Sequence, residues 1–293
     1  MKEKLLLFDI GGSSIKCGIW ENENLLNLDN IQTPDSWDEM KEQFLIVFNR
    51  YNDGPFSGVG ISCPGAVDTE NGVINGISAI PYIHRFPIKK AFEELFGLPV
   101  SIQNDANCAG LAELWKGNAQ GASSACCMII GTGIGGAVII DGKLHSGHNL
   151  FGGEFGYQII DSNSSTTLSE VGSPVKMAKN YTKQKADGTV YNGEDVFKFA
   201  ENGDELAEKM RSKLLDALSL GIYNLLVSIN PEKILIGGGI SKNASLIPEL
   251  KLRTENLLKD KGAKELDFEI QECRFFSDSN LIGAAYQYVL ENT

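Results

Sequence analysis

Two segments of the chain share one pattern, in which an apolar run leads into a glycine turn and a second apolar run follows. The first reads LLLFDIGGSSIKCGIW from Leu5 to Trp20, and the second reads ACCMIIGTGIGGAVII from Ala125 to Ile140. Apolar runs on both sides of a glycine turn predict β-hairpins. A strand after the glycines argues against the Rossmann and Walker phosphate loops, which require a helix there. Because the pattern occurs twice, we expect two related halves.

The rest of the sequence alternates strand and helix patterns, as expected of an α/β protein. Buried-strand patterns occur at GVGISC, VSIQ and KILIGGG. One long helical pattern runs between Asp195 and Asn230, where Pro231 ends it. Apolar residues at helical spacing predict further helices over 37–51, 88–97, 107–117, 173–181, 245–261 and 279–292.

Charge and hydropathy argue against several classes of partner. The 26 Lys and Arg residues against 38 Asp and Glu residues give a formal net charge of -12, which repels nucleic acid backbones. The longest apolar runs are far too short to cross a bilayer, and the first residues lead directly into a predicted strand. We therefore expect a cytoplasmic protein without signal peptide or membrane span, binding neither nucleic acid nor membranes.

The cysteines and histidines do not form a recognisable metal-binding pattern. The six cysteines lie mostly in apolar, strand-like segments, which predicts reduced thiols in the core. The three histidines, at positions 84, 145 and 148, have no cysteine near them in the sequence. Because a structural zinc site needs such ligands at short spacing, we expect none here.

Glycine turns follow apolar strands at three places: at Gly11 and Gly12, over Gly131–Gly136, and over Gly237–Gly239. Glycine allows left-handed backbone angles and leaves no Cβ between peptide N–H groups and an anion, so such turns can hold phosphate. A single glycine hairpin is weak evidence, since tight turns use glycine in any case. Three of them at strand ends favour a phosphate-binding protein.

The chain as a whole resembles the ROK family. The motifs that carry the resemblance are, in order, DIGGSSIKCGIW, GISCPGAVD, NDANCAGLAELWKG, MIIGTGIGGAVIIDGKL, GGEFGY and ILIGGGIS. They cover the chain from Leu5 to Ala285, and their ordered combination is far more specific than any one of them. The family comprises sugar kinases and related sugar-responsive repressors on the hexokinase and actin-like fold.

The resemblance implies an α/β fold of two actin-like (ribonuclease H-like) domains, with mixed five-stranded sheets flanked by helices and with ATP and sugar in the interdomain cleft. The N-terminal domain is expected over 1–116, completed by a C-terminal helix over 280–293, and the second domain over 117–279. The hinge is expected near Lys116 and Gly117. The implied activity is ATP- and Mg²⁺-dependent phosphorylation of a sugar hydroxyl, with a small-molecule sugar and a nucleotide as partners and a homodimer as the assembly.

Carried over by position, the resemblance assigns the glycine turns to ATP. Asp9 would face the phosphates and hold magnesium through water, a role suited to a carboxylate. A turn-capping role remains the alternative for Asp9, and a plain strand-to-helix turn remains the alternative for Gly237–Gly239. The implied ATP-binding residues are Asp9, Gly11, Gly12, Ser13, Lys16, Thr132, Gly133, Gly135, Gly136, Gly238 and Gly239.

Asp105 is the candidate catalytic base. The strand VSIQ delivers Asn104 and Asp105 to the carboxyl edge of a sheet just before a helix, where open α/β sheets place ligands. A sugar hydroxyl is a poor nucleophile at neutral pH, so phosphoryl transfer benefits from a carboxylate that accepts its proton. The competing interpretation is that Asp105 is only the N-cap of the helix. The resemblance favours catalysis.

The remaining sugar-binding residues also follow from the resemblance. Carboxylates are natural acceptors for sugar hydroxyls, which suits Glu154 in GGEFGY and Glu170 in TLSEVGS. Glu154 could instead be an exposed loop acid, and Glu170 could serve only at the start of the helix SPVKMAKNY. The implied substrate-binding residues are Gly65, Asn104, Asp105, Glu154, Tyr157 and Glu170.

The sequence departs from the family pattern in two places near the sugar. Most members have a zinc-binding His where this chain has Tyr157, followed by a Cys-rich loop, and the loop IIDSNSSTTLSEVGS has no Cys. The usual Asn-Leu-Pro run is here Ala79-Ile80-Pro81. Such a pocket has fewer fixed polar groups and could admit a substituted sugar. We therefore expect phosphorylation of the 6-hydroxyl of a hexose unit, in a β-glucoside such as cellobiose, with N-acetylmannosamine, glucose or fructose as alternatives.

Two other classes of function remain to be weighed. A sugar-responsive repressor of the same family would carry a helix-turn-helix before the kinase-like region, and we expect none because Asp9 follows the start by only a few residues. A noncatalytic actin-like assembly protein would keep the phosphate turns, but it has no need of Asn104 and Asp105 in a sugar-binding context. An assay of ADP release with ATP, magnesium and sugars separates the three.

Overall fold

The structure, a computed structural model, describes residues 4–52 and 54–292. Thr293, with which the predicted last helix ends, lies outside the described residues. The strands are β1 (Leu5–Ile10), β2 (Ser14–Glu21), β3 (Asn24–Gln32), β4 (Gly58–Cys63), β5 (Ala66–Asp68), β6 (Val73–Asn75), β7 (Val100–Asn104), β8 (Ala125–Ile130), β9 (Ile134–Ile140), β10 (Lys143–Leu144), β11 (Ile159–Asp161), β12 (Thr166–Thr167), β13 (Lys233–Gly237) and β14 (Glu269–Glu272).

The helices connect these strands and cover the sheets. Short 3-10 turns also occur at Pro81–Ile83, Phe155–Tyr157, Gly239–Lys242 and Phe276–Asp278. The α-helices are α1 (Trp37–Tyr51), α2 (Ile88–Phe96), α3 (Asp105–Lys116), α4 (Leu168–Val171), α5 (Pro174–Lys185), α6 (Gly193–Glu201), α7 (Glu205–Ser228), α8 (Leu246–Asp260) and α9 (Ser279–Asn292).

The described residues divide into two compact units. Unit 1 is formed by segments 1–116, 146–151 and 277–293, and unit 2 by segments 117–145 and 152–276. Each unit contains one five-stranded mixed sheet. The strand order is β3-β2-β1-β4-β7 in unit 1 and β10-β9-β8-β13-β14 in unit 2. In both sheets three antiparallel strands are followed by two parallel ones, which confirms the prediction of two related halves.

Unit 1 has an aromatic core between its sheet and helices α1 and α2. Strand β1 is buried along its whole length, and the ring of Phe8 stacks on that of Phe44 with centroids 3.9 Å apart. On the other face α9 packs on the sheet and on α3. A Cβ at Gly283 would overlap the carbonyl oxygen of Cys108, so the approach of α9 to α3 depends on this glycine.

The helix predicted between Asp195 and Asn230 is in fact two helices, α6 and α7. They are separated by Asn202, Gly203 and Asp204, and Gly203 has a left-handed φ of 88°. The Asp204 carboxylate accepts a hydrogen bond from the Ala207 amide at 2.9 Å and so begins α7. The helical spacing of apolar residues continues across the break and so predicts one helix. The turn residues Asn202, Gly203 and Asp204 indicate the break in the sequence.

The other predicted helices are confirmed to within a few residues. Helix α2 ends at the predicted Gly97, whose φ of 65° allows the left-handed cap that closes the last turn. Helix α5 is longer than predicted and continues to Lys185. All six cysteines are buried. Within residues 4–52 and 54–292, no helix has the length and apolar character needed to span a membrane.

Candidate active site

The first glycine turn joins β1 to β2 in unit 1. The Gly11 amide donates to the Ser14 carbonyl oxygen at 3.0 Å, and this bond closes the turn. Gly12 and Ser13 are exposed at its tip. A Cβ on Gly11 would come within 2.8 Å of the Ser14 oxygen, so the turn requires glycine there. The exposed tip lies next to the end of a buried strand and is a position where an anion could approach backbone N–H groups.

Asp9 is a buried carboxylate just before this turn, with 8 % of its surface exposed. Its Oδ1 accepts from the Ser62 hydroxyl at 2.8 Å and from the Asn280 amide at 3.1 Å. Its Oδ2 lies 4.0 Å from the Lys16 ammonium, which also donates to the Ser277 carbonyl oxygen at 3.0 Å. Asp9 therefore bonds to side chains of β4 and α9, while backbone groups close the turn.

These contacts suit a carboxylate that holds a hydrated magnesium ion. Two donors on Oδ1 fix the orientation of the Asp9 carboxylate. A single carboxylate is a common protein anchor for Mg²⁺, which keeps several waters and takes its other ligands from phosphates. Ser62 and Asn280 had not been singled out in the sequence, because nothing local relates positions 9, 62 and 280.

Asp9 and Asp105 lie at the same edge of the unit 1 sheet, since β1, β4 and β7 are parallel neighbours. The thiol of Cys63, at the end of the middle strand, is influenced by both carboxylates. Burial raises the pKa of Cys63, and the negative charges of Asp105 and Asp9 raise it further. The carboxyl edge of this sheet therefore brings together the predicted base and the predicted magnesium anchor.

Asn104, rather than Asp105, is the capping side chain of α3. Its Oδ1 accepts a hydrogen bond from the Asn107 amide at 3.0 Å, three residues ahead, which is the geometry of an N-cap. Asp105 is the first residue of the helix, and its Oδ1 accepts from the Ala106 amide at 2.8 Å. The N-cap interpretation of Asp105 is thus replaced by a cap at the preceding residue.

Asn104 also connects the helix to the predicted sugar residue Gly65. Its Nδ2 donates to the Gly65 carbonyl oxygen at 3.0 Å. Gly65 has a φ of 103°, and a Cβ there would come within 2.9 Å of the His84 ring. His84 Nε2 in turn lies 2.7 Å from the Ser78 hydroxyl. The tight turn after β4, the cap of α3 and the loop before Pro81 are therefore held against one another.

Gln103 supports the carboxyl edge of the unit 1 sheet, and nothing in the sequence indicated this role. It is almost fully buried, and its Oε1 accepts from the Asn104 amide at 2.8 Å. Its Nε2 donates to Gln287 Oε1 at 3.1 Å, which ties the end of β7 to α9. A buried amide with satisfied hydrogen bonds fixes the backbone on which Asn104 and Asp105 are carried.

The second glycine turn joins β8 to β9 in unit 2. The Gly131 amide donates to the Gly133 carbonyl oxygen at 2.9 Å, and residues 131–133 are exposed at the tip. Two serines hold the turn from the inside. The Ser173 hydroxyl lies 2.8 Å from the Gly131 oxygen and 3.0 Å from the Thr132 oxygen. The Ser169 hydroxyl accepts from the Ile134 amide at 2.8 Å. Sequence reasoning missed both serines.

The GGEFGY segment packs directly on this hairpin. A Cβ at Gly136 would overlap the Phe155 ring, and a Cβ at Gly153 would overlap the Gly136 carbonyl oxygen. Gly136 and Gly153 are therefore needed for close packing of the two segments. Glu154 follows Gly153 and precedes the 3-10 turn, and its partial burial raises the pKa of its carboxyl from the ordinary value. Tyr157 is 67 % exposed.

Glu170 has a defined structural role in unit 2. Its Oε2 accepts from the Thr167 amide at 2.6 Å and from the Thr167 hydroxyl at 2.9 Å, which forms a capping box at α4. These bonds lower the pKa of the Glu170 carboxyl. The start of α5 is capped by Ser173 instead. Glu170 thus stabilises a helix start, though that of α4 rather than that of the SPVKMAKNY helix.

The third glycine turn follows β13 and borders a cavity of about 600 Å³ in unit 2. Gly238 has a φ of 91°, and a Cβ there would overlap the Ile130 carbonyl oxygen, so packing alone explains this glycine. A Cβ at Gly239, by contrast, would meet nothing within 4 Å. The cavity is lined by the start of α5, by α6 and by the turn after β13, including Pro174, Val175, Phe197, Gly239, Ile240 and Lys242.

The structure places the predicted residues in two groups, one in each unit. Unit 1 holds Asp9, the first turn, Gly65, Asn104 and Asp105, and unit 2 holds the other two turns, Glu154, Tyr157 and Glu170. No group of three or more His, Cys, Asp or Glu side chains in the described part of the chain is placed to hold a metal ion. The loop over 159–167 therefore offers no zinc ligand set among these residues.

Comparison with known proteins gives one family. Residues 6–289 match the ROK family. The β-glucoside kinase of Listeria monocytogenes is 30% identical over 98% of both chains. The solved structure of a ROK family protein from Streptococcus pneumoniae in complex with sucrose has a TM-score of 0.89, at 34% identity over 98% of both chains. That of a ROK glucokinase from Streptomyces griseus with glucose and AMPPNP has a TM-score of 0.81, at 25% identity over 96% of this chain and 98% of that one. The chain therefore belongs to the ROK family and is a carbohydrate kinase on the actin-like fold.

Proposed function

We propose that this kinase transfers the γ-phosphoryl group of ATP to the 6-hydroxyl of a hexose unit in a β-glucoside such as cellobiose, with Asp105 as the base. The observation that carries the role of Asp105 is the cap of α3. Because Asn104 supplies the capping oxygen, the helix does not need Asp105 for that purpose. Asp105 follows one of three parallel strands, at the same sheet edge as Asp9, which is where α/β sheets place ligands, and this position supports a chemical role.

The chemistry follows from the carboxylate. As the sugar oxygen forms its bond to the γ-phosphorus, the bond from that phosphorus to the β,γ-bridging oxygen breaks, and ADP leaves. The sugar hydroxyl loses its proton in the same process, and Asp105 accepts it. Asn104 stays next to the base and has a second amide hydrogen for a neighbouring sugar hydroxyl, since its first goes to Gly65.

The nucleotide is proposed to use the glycine turns and the cavity of unit 2. In each unit, backbone N–H groups at the exposed tip of the hairpin are proposed to bind phosphate oxygens, and in unit 1 Lys16 follows the turn. A magnesium ion held through water by Asp9 would offset the charge of the phosphates. The cavity beside Gly239 has the size of a small-molecule pocket, about 600 Å³, and its apolar wall of Val175, Phe197 and Ile240 suits a nucleobase.

The choice of a β-glucoside rests on the similarity to the Listeria β-glucoside kinase and on three features of the chain. Among the described residues, the loop after Tyr157 holds no group of three or more potential zinc ligands. Tyr157 instead exposes two thirds of its surface, and an aromatic face with a hydroxyl can pack on a second sugar ring. Ala79 replaces a polar side chain next to Gly12. A pocket with fewer fixed polar groups could admit a hexose that carries a substituent.

The test of the base is Asp105→Asn, measured by coupled ADP release. The amide keeps the shape of the side chain but cannot accept the proton, so turnover should fall by about two orders of magnitude or more while the sugar KM changes little. The matched control is Asp68→Asn, an acidic residue of the same unit whose carboxylate accepts hydrogen bonds from residues close in sequence, Glu70 and Asn71. Near-normal turnover in Asp105→Asn would refute the role.

The test of the substrate is a panel of cellobiose, other β-glucosides, glucose, fructose and N-acetylmannosamine with the unaltered protein. We expect the highest kcat/KM for a β-glucoside, with phosphate on the 6-hydroxyl by NMR. A clearly higher kcat/KM for N-acetylmannosamine or for a free hexose would replace the proposed substrate without affecting the role of Asp105. In that case the Tyr157→Ala variant should leave kcat/KM for the preferred monosaccharide nearly unchanged.

A further inference from the structure

The inner side of the β8–β9 turn is held by hydroxyl groups from one short segment of chain. Ser173 is fully buried, and its single hydroxyl proton is shared between the carbonyl oxygens of Gly131 and Thr132. The same oxygen accepts the Lys176 amide at 3.3 Å and caps α5. Ser169, one helical turn earlier, accepts the amide of Ile134 on the far side of the turn. The carbonyl and amide groups of the turn are thus fixed from both sides.

The amide directions at the exposed tip depend on this arrangement. A peptide plane is rigid, so holding the carbonyl oxygens of Gly131 and Thr132 inward turns the N–H groups of the next residues outward. Buried backbone groups require partners, and in this turn two of them are side-chain hydroxyls rather than backbone groups. Loss of either hydroxyl would leave the turn free to reorient its amides, which are the groups proposed to bind phosphate.

The serines lie on both sides of Glu170, a predicted sugar-binding residue. Glu170 is fixed in turn by Thr167 at the start of α4. The segment that carries Glu154 and Tyr157 also contacts Ser169. A Cβ on Gly156, in that segment, would overlap both the Ser169 hydroxyl and the Ile134 carbonyl oxygen. The segments that carry Glu154, Tyr157 and Glu170 therefore meet at Ser169, beside the second glycine turn.

We propose that Ser169 and Ser173 are positioning residues that fix the second phosphate turn and couple it to the sugar-binding segments. A sugar that orders Glu154 and Glu170 would order the two serines and the turn, and a nucleotide that orders the turn would favour the sugar-competent segments to the same extent. The coupling rests on the proposed sugar-binding role of those two acids. The support that the two serines give to the turn does not depend on that sugar-binding role.

The experiment measures binding of a non-hydrolysable ATP analogue with Mg²⁺ by calorimetry, with and without saturating cellobiose, or the preferred sugar of the panel. In the unaltered protein the sugar should tighten analogue binding by about 5-fold or more. Ser173→Ala and Ser169→Ala should each weaken analogue binding without sugar. In both variants the ratio of analogue affinities with and without sugar should be close to one. The affinity for sugar alone should stay within about 2-fold of the unaltered value.

Ser219→Ala is the matched control. Ser219 is a fully buried serine of α7 in the same unit, and its hydroxyl has no hydrogen-bond partner among the described residues. It should keep the ratio and the analogue affinity of the unaltered protein. Should Ser173→Ala fail to fold, Ser169→Ala, whose side chain is only partly buried, carries the test.

The outcomes separate the two parts of the proposal. Unchanged analogue affinity in a folded serine variant would overturn the support of the turn. A ratio near one in the unaltered protein, or equal loss in Ser219→Ala, would overturn the coupling. If no sugar of the panel is phosphorylated, the proposed function fails, while weakened analogue binding in the serine variants would still support their role at the turn.

Discussion

Asn104 accepts the Asn107 amide hydrogen at 3.0 Å and at the same time donates to the Gly65 carbonyl oxygen at 3.0 Å. One side chain thus caps α3 and connects the cap to the turn after β4. Because both of its polar groups are used in this way, the residue that follows is not required for the cap. Variants of the two neighbours therefore compare the structural role of Asn104 with the chemical role proposed for Asp105.

Asn104→Ala should destabilise the protein more than Asp105→Ala does. Loss of an N-cap costs about 1 kcal/mol, and loss of the bond to Gly65 adds to this cost. Removing Asp105 removes a favourable charge at the helix start, about 0.5 kcal/mol, and the hydrogen bond from the neighbouring Ala106 amide, but it leaves the cap in place. Urea unfolding of both variants measures the difference. Equal destabilisation, or a larger loss in Asp105→Ala, would mean that Asp105 stabilises α3 after all.

The two glycines after β13 should respond to substitution in opposite ways. Gly239→Leu adds a side chain into open space beside the cavity, so the ATP KM should rise by about 10-fold or more with little change in melting temperature. Gly238→Ala should lower the melting temperature, because its φ of 91° and the nearby Ile130 carbonyl oxygen exclude a Cβ.

Steady-state kinetics at saturating sugar and thermal unfolding separate the two effects. An unchanged ATP KM in Gly239→Leu would show that the nucleotide does not use this cavity. A stable Gly238→Ala variant would contradict the packing account of Gly238.

The sequence was sufficient for the features that are local in the chain. The two hairpins, the helices that follow β7 and β13, and the cap at Gly97 each depend on residues within a few positions of one another, and patterns of that kind can be recognised directly. The one helix predicted wrongly, between Asp195 and Asn230, also had a local signal in Asn202, Gly203 and Asp204. The helical spacing of apolar residues continues across these three turn residues and favoured the prediction of a single helix.

The contacts that hold the site could not be predicted, because they join distant positions. Ser62 and Asn280 orient Asp9 from β4 and from the last helix, and nothing in a single sequence relates them. The same is true of Gln103 and Gln287. Serine is common in loops and helix starts, so Ser173 reads only as a helix cap until the fold brings the carbonyl oxygens of the turn to its hydroxyl.

Glu154 and Glu170 should give opposite pH dependence of stability. Burial raises the pKa of Glu154 in the folded protein, so the folded state holds this proton more tightly than the unfolded state does. Stability from Glu154 is present below its unfolded pKa and is lost as the pH rises through the folded pKa. Hydrogen bonds from Thr167 lower the pKa of Glu170, so its contribution is present above the unfolded pKa and is lost as the pH falls through the folded pKa.

Melting temperatures of Glu154→Gln and Glu170→Gln between pH 3 and pH 8 measure this contrast. At neutral pH, Glu154→Gln should melt above the unaltered protein, because it removes a charge that is partly buried. Glu170→Gln should melt below it, because it weakens a capping box. Both differences should shrink as the pH falls below about 4, where both carboxylates are protonated in the unfolded chain.

The affinity for sugar then distinguishes the acid that binds substrate from one that serves only the fold. If Glu154 accepts sugar hydroxyls as a carboxylate, the sugar KM of the unaltered protein should rise as the pH falls through the raised pKa. Glu154→Gln should have a high KM that is nearly independent of pH over the same range. A variant that is stabilised at neutral pH yet binds sugar normally would remove Glu154 from the site, because its burial would then have no compensating function.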